Sequence, residues 1–437
     1  MDGGGDAEAL RVAAVRPSWA GSTFAAFRFR GYGALWLNVL FTTLGVVSCI
    51  TTLFVVMADL TGTNRGVGGV TFALGVPMLL LGPVAGVLAD RLSKRLVLLG
   101  GQAAMGAGAF VLGLLITTDL VSVPWVLGFA VVVGMCLSLL GPVQIAYMGS
   151  IVQAEGLGNA TALFQASLNL TRVVGPFLVA GLVALPEAGT GGSMFLVSSL
   201  MAAAMLPLAA MPPSRPGGAS VDSVLASLGM GLRHVIYRPL LRQLVIAFLL
   251  VTLIGFSYFV VLPRFAANVL GAGESGYGVM VGVSSIGGLV ATVLIAPLAD
   301  SPRVFTLLRG AAFGFGLMLI VTGLAPGFIT ALAAMVGVGA AASAFQALNN
   351  AAAYRAADPA YLGRITALMN LAWSLTNLAG LPVGLIADAA GERTTLAGIG
   401  TTLCALALLL LAWGGGASAR KPVGPWAGRD EEVARAD

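Results

Sequence analysis

Residues 86–95 read Gly86-Val87-Leu88-Ala89-Asp90-Arg91-Leu92-Ser93-Lys94-Arg95: an apolar run stops abruptly on one carboxylate and three cations. The chain is predominantly apolar from residue 68 to this point, and again from residue 96 to 118. Each flank has about the 20 residues a helix needs to cross a bilayer core. The stretch therefore reads as a short charged loop between two membrane spans. Part of it returns: Leu88-Ala89-Asp90 recurs as Leu298-Ala299-Asp300, again at the end of a long apolar run.

Working outward, apolar spans fall at 33–58, 68–89, 96–118, 122–146, 161–185 and 193–211. A polar stretch follows at 212–240. Six more spans fall at 241–262, 276–299, 304–325, 327–350, 363–387 and 394–413. The halves repeat in the matching spans. Leu157-Gly158-Asn159-Ala160-Thr161-Ala162-Leu163 in the fifth recurs as Leu362-Gly363-Arg364-Ile365-Thr366-Ala367-Leu368 in the eleventh, and at that offset Gly175 falls on Gly380. Six spans per half make the repeats parallel, and such repeats place a binding cavity between the halves near the midplane.

The cations fix an orientation by the positive-inside rule. With both termini in the cytoplasm, Arg11, Arg16, Arg28, Arg30, Arg91, Lys94, Arg95, Arg215, Arg233, Arg238 and Arg242 lie on that side. So do Arg303, Arg309, Arg355, Arg364, Arg420, Lys421, Arg429 and Arg435. Only Arg65, Arg264 and Arg393 lie opposite, and Arg172 falls within a span.

Composition agrees. The 437 residues are 58% hydrophobic and 9% charged, against about 25% charged in a soluble domain. Mean hydropathy is +0.96. A soluble enzyme, a disordered chain and a disulfide scaffold are excluded. The net charge of +5 is spread between spans, so nucleic acid is not an expected partner. Cys49, Cys136 and Cys404 are scattered through apolar runs, and His234 is the lone histidine. No disulfide framework, metal site or Ser-His-Asp set is expected from these. With no Gly-Lys-Ser/Thr phosphate loop, ATP is not the expected energy source, and no cofactor is expected. The first 30 residues are polar and Arg-containing, which is unlike a cleavable signal peptide.

The 86–95 stretch resembles the loop signature of the major facilitator superfamily, with Ser93 where a glycine is usual. Other matches resemble its bacterial transmembrane secretion effector branch, which holds enterobactin-exporter-like and macrolide-efflux-like proteins. They are Phe27-Arg28-Phe29-Arg30-Gly31-Tyr32-Gly33-Ala34-Leu35-Trp36, the 157–163 motif with Asn169-Leu170-Thr171-Arg172-Val173-Val174-Gly175-Pro176, and Leu262-Pro263-Arg264-Phe265-Ala266 with Gly276-Tyr277-Gly278. The resemblance covers roughly residues 25–400. It implies a twelve-helix, proton-driven exporter of small, often amphipathic compounds.

Candidate residues follow. Gly86, Asp90, Arg91, Lys94 and Arg95, with Asp300 as the counterpart in the other half, are expected to form a latch; the bland alternative is a set of solvated loop charges. Gly175-Pro176 is a remnant of the antiporter signature, and Pro176 can bend its helix. Arg172 would cost at least about 2.5–3.5 kcal/mol at midplane unless paired or hydrated, so it should face the cavity or a partner helix. Gln165 and Asn169 share its face. Further cavity candidates are Asn38, Thr42, Ser257, Tyr258, Gln346, Asn349, Asn370, Trp373 and Asn377, each with interhelical bonding as the alternative. Asp59 is the candidate for proton coupling; Asp388 is a weaker one. The spacings Gly82/Gly86, Gly278/Gly282 and Gly310/Gly314 suggest close helix contacts.

The expectation is an all-α membrane protein with twelve transmembrane helices in two pseudo-symmetric six-helix bundles. A tail (1–31), a bundle (32–211), a linker (212–240), a second bundle (241–414) and a second tail (415–437) make up the chain. It is expected to act as a monomer in the bacterial cytoplasmic membrane, with a small-molecule substrate, protons and the lipid bilayer as partners. A lipid or lysolipid flippase-like facilitator, or a non-transporting membrane receptor or assembly factor, stays open as an alternative.

Overall fold

The computed structural model describes residues 24–91, 93–211, 229, 232–298, 301, 303–358 and 361–414; within these, side chains 83, 84, 86–91, 154, 210, 363 and 411–414 lie outside the description. Twelve long helices follow one another: α1 (Tyr32–Thr61), α2 (Asn64–Arg91), α3 (Lys94–Thr117), α4 (Val123–Ile151), α5 (Ala154–Val183) and α6 (Gly189–Met205). Then come α7, α8 (Ser275–Ile295), α9 (Val304–Leu324), α10 (Phe328–Ala356), α11 (Leu362–Ala390) and α12 (Glu392–Gly414). Helix α7 is built in pieces, Pro239–Gly255, Tyr258–Arg264 and a wider coil Phe265–Val269. Eleven of the twelve are long and apolar enough to cross a membrane. The other is α11, whose hydropathy is diluted by Asn370, Ser374, Thr376 and Asn377.

Several helices outrun the spans read from hydropathy. α5 begins seven residues early at Ala154, and α10 ends six residues late at Ala356. A helix does not stop where the hydrocarbon stops, and its polar turns in the interface are invisible to an apolar count. Turns at the ends are tight. Gly62, between α1 and α2, and Gly391, between α11 and α12, have φ of +59° and +86°, which glycine adopts without a Cβ penalty.

Packing divides the helices into two groups. α1 lies against α5 and α6, α2 against α4, and α3 against α6; in the second half α8 lies against α10, α9 against α10 and α12, and α7 against α11. The main contacts joining the halves are α2 with α11 and α5 with α8, and the Tyr258–Arg264 piece of α7 also touches α1 and α2. An even number of crossings brings residues 24 and 414 to one side of the bundle, here called the terminal side; the other is the distal side. The 27–36 and 157–163 motifs meet there. The Ala26 amide donates to Asn159 Oδ1 (2.8 Å), the Tyr32 hydroxyl to the Ala160 carbonyl (2.8 Å) and Trp36 Nε1 to the Leu163 carbonyl (3.3 Å). Phe27 packs edge-on against Tyr32 and Trp36.

Candidate functional site: a central cavity and a distal clasp

A cavity of about 540 Å³ lies between the halves. Eight helices line it: α1, α2, α4 and α5 from the first half and α7, α8, α10 and α11 from the second, α4 contributing only Leu137. Eight sequence candidates meet on these walls: Gln165, Asn169 and Arg172 on α5, Ser257 and Tyr258 in α7, Gln346 on α10, and Trp373 and Asn377 on α11. Positions 165, 169 and 172 are four and three residues apart, so one face of α5 carries all three. Arg172 and its repeat partner Asn377 both line the cavity.

Among the described residues on these walls, Arg172 is the only Asp, Glu, Lys, Arg or His. It is exposed, and among the described residues it has no hydrogen bond or ion pair. Its surroundings are neutral donors, acceptors and rings. Phe256 lies 4.8 Å from Trp373 and Tyr258 4.3 Å from Phe259, centroid to centroid. Phe54 of α1 and Tyr277 of α8, also on the lining, meet at 6.2 Å.

The break in α7 makes the aromatic wall. Phe256, Ser257, Tyr258, Phe259 and Val260 all line the cavity, although an unbroken helix would turn successive side chains away from one another. At the break the amides of Phe259 and Val260 bond three residues back, to the Phe256 and Ser257 carbonyls, at 3.3 and 3.2 Å. Just before it, Gly255 lets the Phe315 ring of α9 pack closely against α7, where a Cβ would strike it. Sequence reading missed this break, as it missed Phe54, Phe256, Phe259, Tyr277 and the hydroxyls of Ser284, Ser285 and Ser343 on the walls. The adjacent Gly255 and Ser257 were the available signal for the break.

Four candidates lie elsewhere. Asn38 is fully buried inside the first half; its Nδ2 donates to the Ala204 carbonyl (2.7 Å) and its Oδ1 accepts from Gln144 Nε2 (3.2 Å). Thr42 accepts from Gln102 Nε2 (2.8 Å). Both face α6, α4 and α3, so they tie helices together. Asn349 is buried in α10 off the cavity, with neither amide atom hydrogen-bonded. Asn370 is exposed and off the cavity, one turn from Trp373. Of the glycine spacings, Gly278 and Gly282 pack against Pro176, Ala180 and Phe177 of α5. Gly310 has open space and Gly314 touches only Ala341, so that pair does not bring helices close; Gly82 has open space, and Gly86 lies outside the described side chains.

On the distal side the halves are closed together. A Cβ on Gly68 of α2 would lie 2.8 Å from Leu381 Cα of α11, and one on Gly278 of α8 would lie 2.9 Å from Ala180 Cβ of α5. Gly175 rests on Val47 and Ser48 of α1, while the carbonyl of Pro176 meets Gly278. Beyond these contacts lies a clasp. Asp388, ending α11, accepts the amides of Asn64 (2.7 Å) and Arg65 (3.0 Å), the first residues of α2. A carboxylate is favoured there because a helix N-terminus leaves N–H groups unpaired and carries partial positive charge. Asn64 Nδ2 also donates to Glu392 Oε1 at 3.0 Å. Arg264 of α7 stands 3.6 Å from both Asp388 and Glu392. Arg393 donates to the carbonyls of Gly323 (3.0 Å) and Ala325 (2.7 Å).

Asp59 is exposed at the distal end of α1. Glu274, just before α8, is near it: partial burial first, and the Asp59 carboxylate second, push the Glu274 carboxyl above its ordinary value. In the 86–95 stretch Lys94 is buried at the start of α3 and Arg95 lies near Tyr147 of α4. Gly86, Asp90 and Arg91 belong to the last turns of α2, but their side chains lie outside the described residues, and so does Asp300 altogether. No group of three His, Cys, Asp or Glu suited to a metal occurs among the described residues.

The family model of the Major Facilitator Superfamily matches residues 35–381. The chain belongs to this superfamily. Among curated relatives, the uncharacterized MFS-type transporter y4rN of Sinorhizobium fredii is 28% identical over 356 residues, covering 78% of this chain and 85% of that one. The enterobactin exporter EntS of Shigella flexneri is 25% identical over 304 residues, covering 69% and 70%. The structure of the nucleoside transporter NupG superposes with a TM-score of 0.72 at 12% identity, covering 88% of this chain and 99% of that one. The superfamily and this fold are those of multi-pass membrane transporters of small molecules.

Proposed function

We propose that this superfamily member is a secondary active exporter of a small amphipathic molecule, working by alternating access across the bacterial cytoplasmic membrane. The observation that carries the reading is the central cavity, walled by both halves and sealed distally by Gly68 against α11 and Gly278 against α5. Sites at the interface of parallel repeats are served by rocking one half against the other. The mixed lining of rings, amides and hydroxyls suits a ligand with one apolar body and a few polar groups. Distant similarity to EntS supports the outward direction.

Both termini are placed in the cytoplasm by the cation distribution, which makes the distal side external. Proton coupling is assigned to Asp59, whose neighbour Glu274 is held above its ordinary value by partial burial first and the Asp59 carboxylate second. In the cycle Asp90 would latch the cytoplasmic face as Asp388 holds the external one. The protein works as a monomer, since the site is complete within one chain.

The test is an efflux panel in cells lacking their own pumps, with and without a protonophore. Expression should lower accumulation of at least one amphipathic compound, protonophore should abolish the effect, and Asp59→Asn should reduce it at least about tenfold. Efflux that ignores the protonophore sinks the coupling; no efflux of any compound by well-folded protein sinks the transport reading.

A further inference from the structure

Arg172 has a setting that the exporter reading leaves unexplained. It is a guanidinium on the wall of a cavity that has no carboxylate, and no group among the described residues pairs with it. We infer that the central cavity takes an organic monoanion with a flat aromatic body, its negative group on Arg172 and its rings against Trp373 and Phe256. This rests on the transport reading and narrows its substrate class.

The argument is one of charge balance. A guanidinium offers five N–H donors in a planar fork that suits carboxylate and sulfonate oxygens. Asn169 and Gln165, one and two turns back on the same face of α5, can donate to the remaining oxygen lone pairs. Gln346 and Asn377 are neutral and bring no charge to compete with the ligand's. A cationic ligand would meet a like charge in this cavity with no carboxylate to offset it, and would pay its own desolvation besides. A neutral ligand would leave the guanidinium to lose its water alone. A monoanion removes both costs, and a dianion restores one with opposite sign. The cavity of about 540 Å³ is of the size that encloses a drug-sized molecule.

The same balance gives loading a consequence for the cycle. When the halves close on a cavity without an anion, a lone cation must be desolvated; when they close on a loaded one, a neutral pair is. Closure is therefore easier for the loaded protein, which favours turnover only with cargo.

Three probes share one body and differ in charge: 9-anthracenecarboxylate, 9-anthracenemethanol and 9-(aminomethyl)anthracene. Binding to the purified full-length chain is read by quenching of tryptophan emission, with Trp373→Phe reporting how much comes from the cavity. The carboxylate should bind saturably and at least about tenfold tighter than the alcohol, the worth of one charge-assisted contact. The amine should be weakest. Arg172→Gln should equalise carboxylate and alcohol, while Arg172→Lys should keep the carboxylate preference. Amine binding as tight as the carboxylate's, absence of saturable carboxylate binding, or a carboxylate preference kept in Arg172→Gln each overturns the inference. The comparison of probes on the unaltered chain needs no variant to fold. Proteoliposomes separate the two readings: carboxylate bound but never moved sinks transport and leaves the anion site, whereas movement of the amine alone leaves transport and sinks the anion site.

Discussion

Asn38 and Arg172 are both polar residues inside apolar spans, and the fold gives them opposite tasks. Asn38 spends its amide inside the first half, on the Ala204 carbonyl and Gln144. Arg172 reaches the cavity and has neither kind of partner among the described residues. Sequence alone could not separate them, since one helical face is known only relative to its neighbours. Gln165 and Asn169 line the cavity because they share one face of α5 with a charge that has to be hydrated. Asn38→Leu keeps the volume but leaves Gln144 Nε2 without its acceptor. It should cost about 1 kcal/mol, the usual worth of an interhelical bond. Titrating unfolding with a denaturing detergent reads that loss, and efflux by the folded variant should stay within about twofold of the parent. A variant that folds normally and does not transport would return Asn38 to the ligand's wall.

Among elements, the decisive pair is α2 with α11. The 86–95 loop drew attention to the terminal end of α2, where a carboxylate closes the helix. The clasp lies at the opposite end of the same pair, with the roles exchanged: Asp388 at the end of α11 meets the start of α2. Asp388 was legible only as an acid closing a span, because Asn64 and Arg65 are over three hundred residues away in the chain. The break in α7 was hidden for a different reason. Its apolar run is continuous, and hydropathy measures composition, not hydrogen-bond registry. Asp388→Ala removes the contacts from the Asn64 and Arg65 amides and Asn64 Nδ2 that join the halves, and the Arg264 pair within the second half. Their worth at a partly exposed site is about 1–2 kcal/mol, so the distally closed population should fall roughly 5–30-fold relative to the open one. Leu120 and Ile329 are exposed on the distal side, one in each half. Spin labels on cysteines there, in a Cys404→Ser background, should show a longer distance gaining weight in Asp388→Ala. An unchanged distance distribution would mean that the glycine contacts alone hold the halves shut.

At the scale of the molecule, twelve crossings and two matched halves were readable because lipid punishes a misplaced charge more than packing can repay. The cation count left three exceptions, and the structure accounts for two. Arg264 faces Asp388 and Glu392, and Arg393 is spent on the carbonyls that end α9, so neither is a free positive charge seeking the inner leaflet. With those two discounted, the bias toward the terminal side is stronger than the raw count. That argument predicts that the terminal side is cytoplasmic, and the prediction can be checked without any substrate. Single cysteines replace Leu120 between α3 and α4, Ile329 at the start of α10, and Tyr237 before α7, all exposed. A membrane-impermeant maleimide applied to intact cells should label the first two and spare Tyr237→Cys, which should react only after the membrane is opened. The reverse pattern would invert the orientation and turn export into import. Labelling of one distal site without the other would break the parallel relation of the halves, because Leu120 and Ile329 share a side only if the spans between them number an even six.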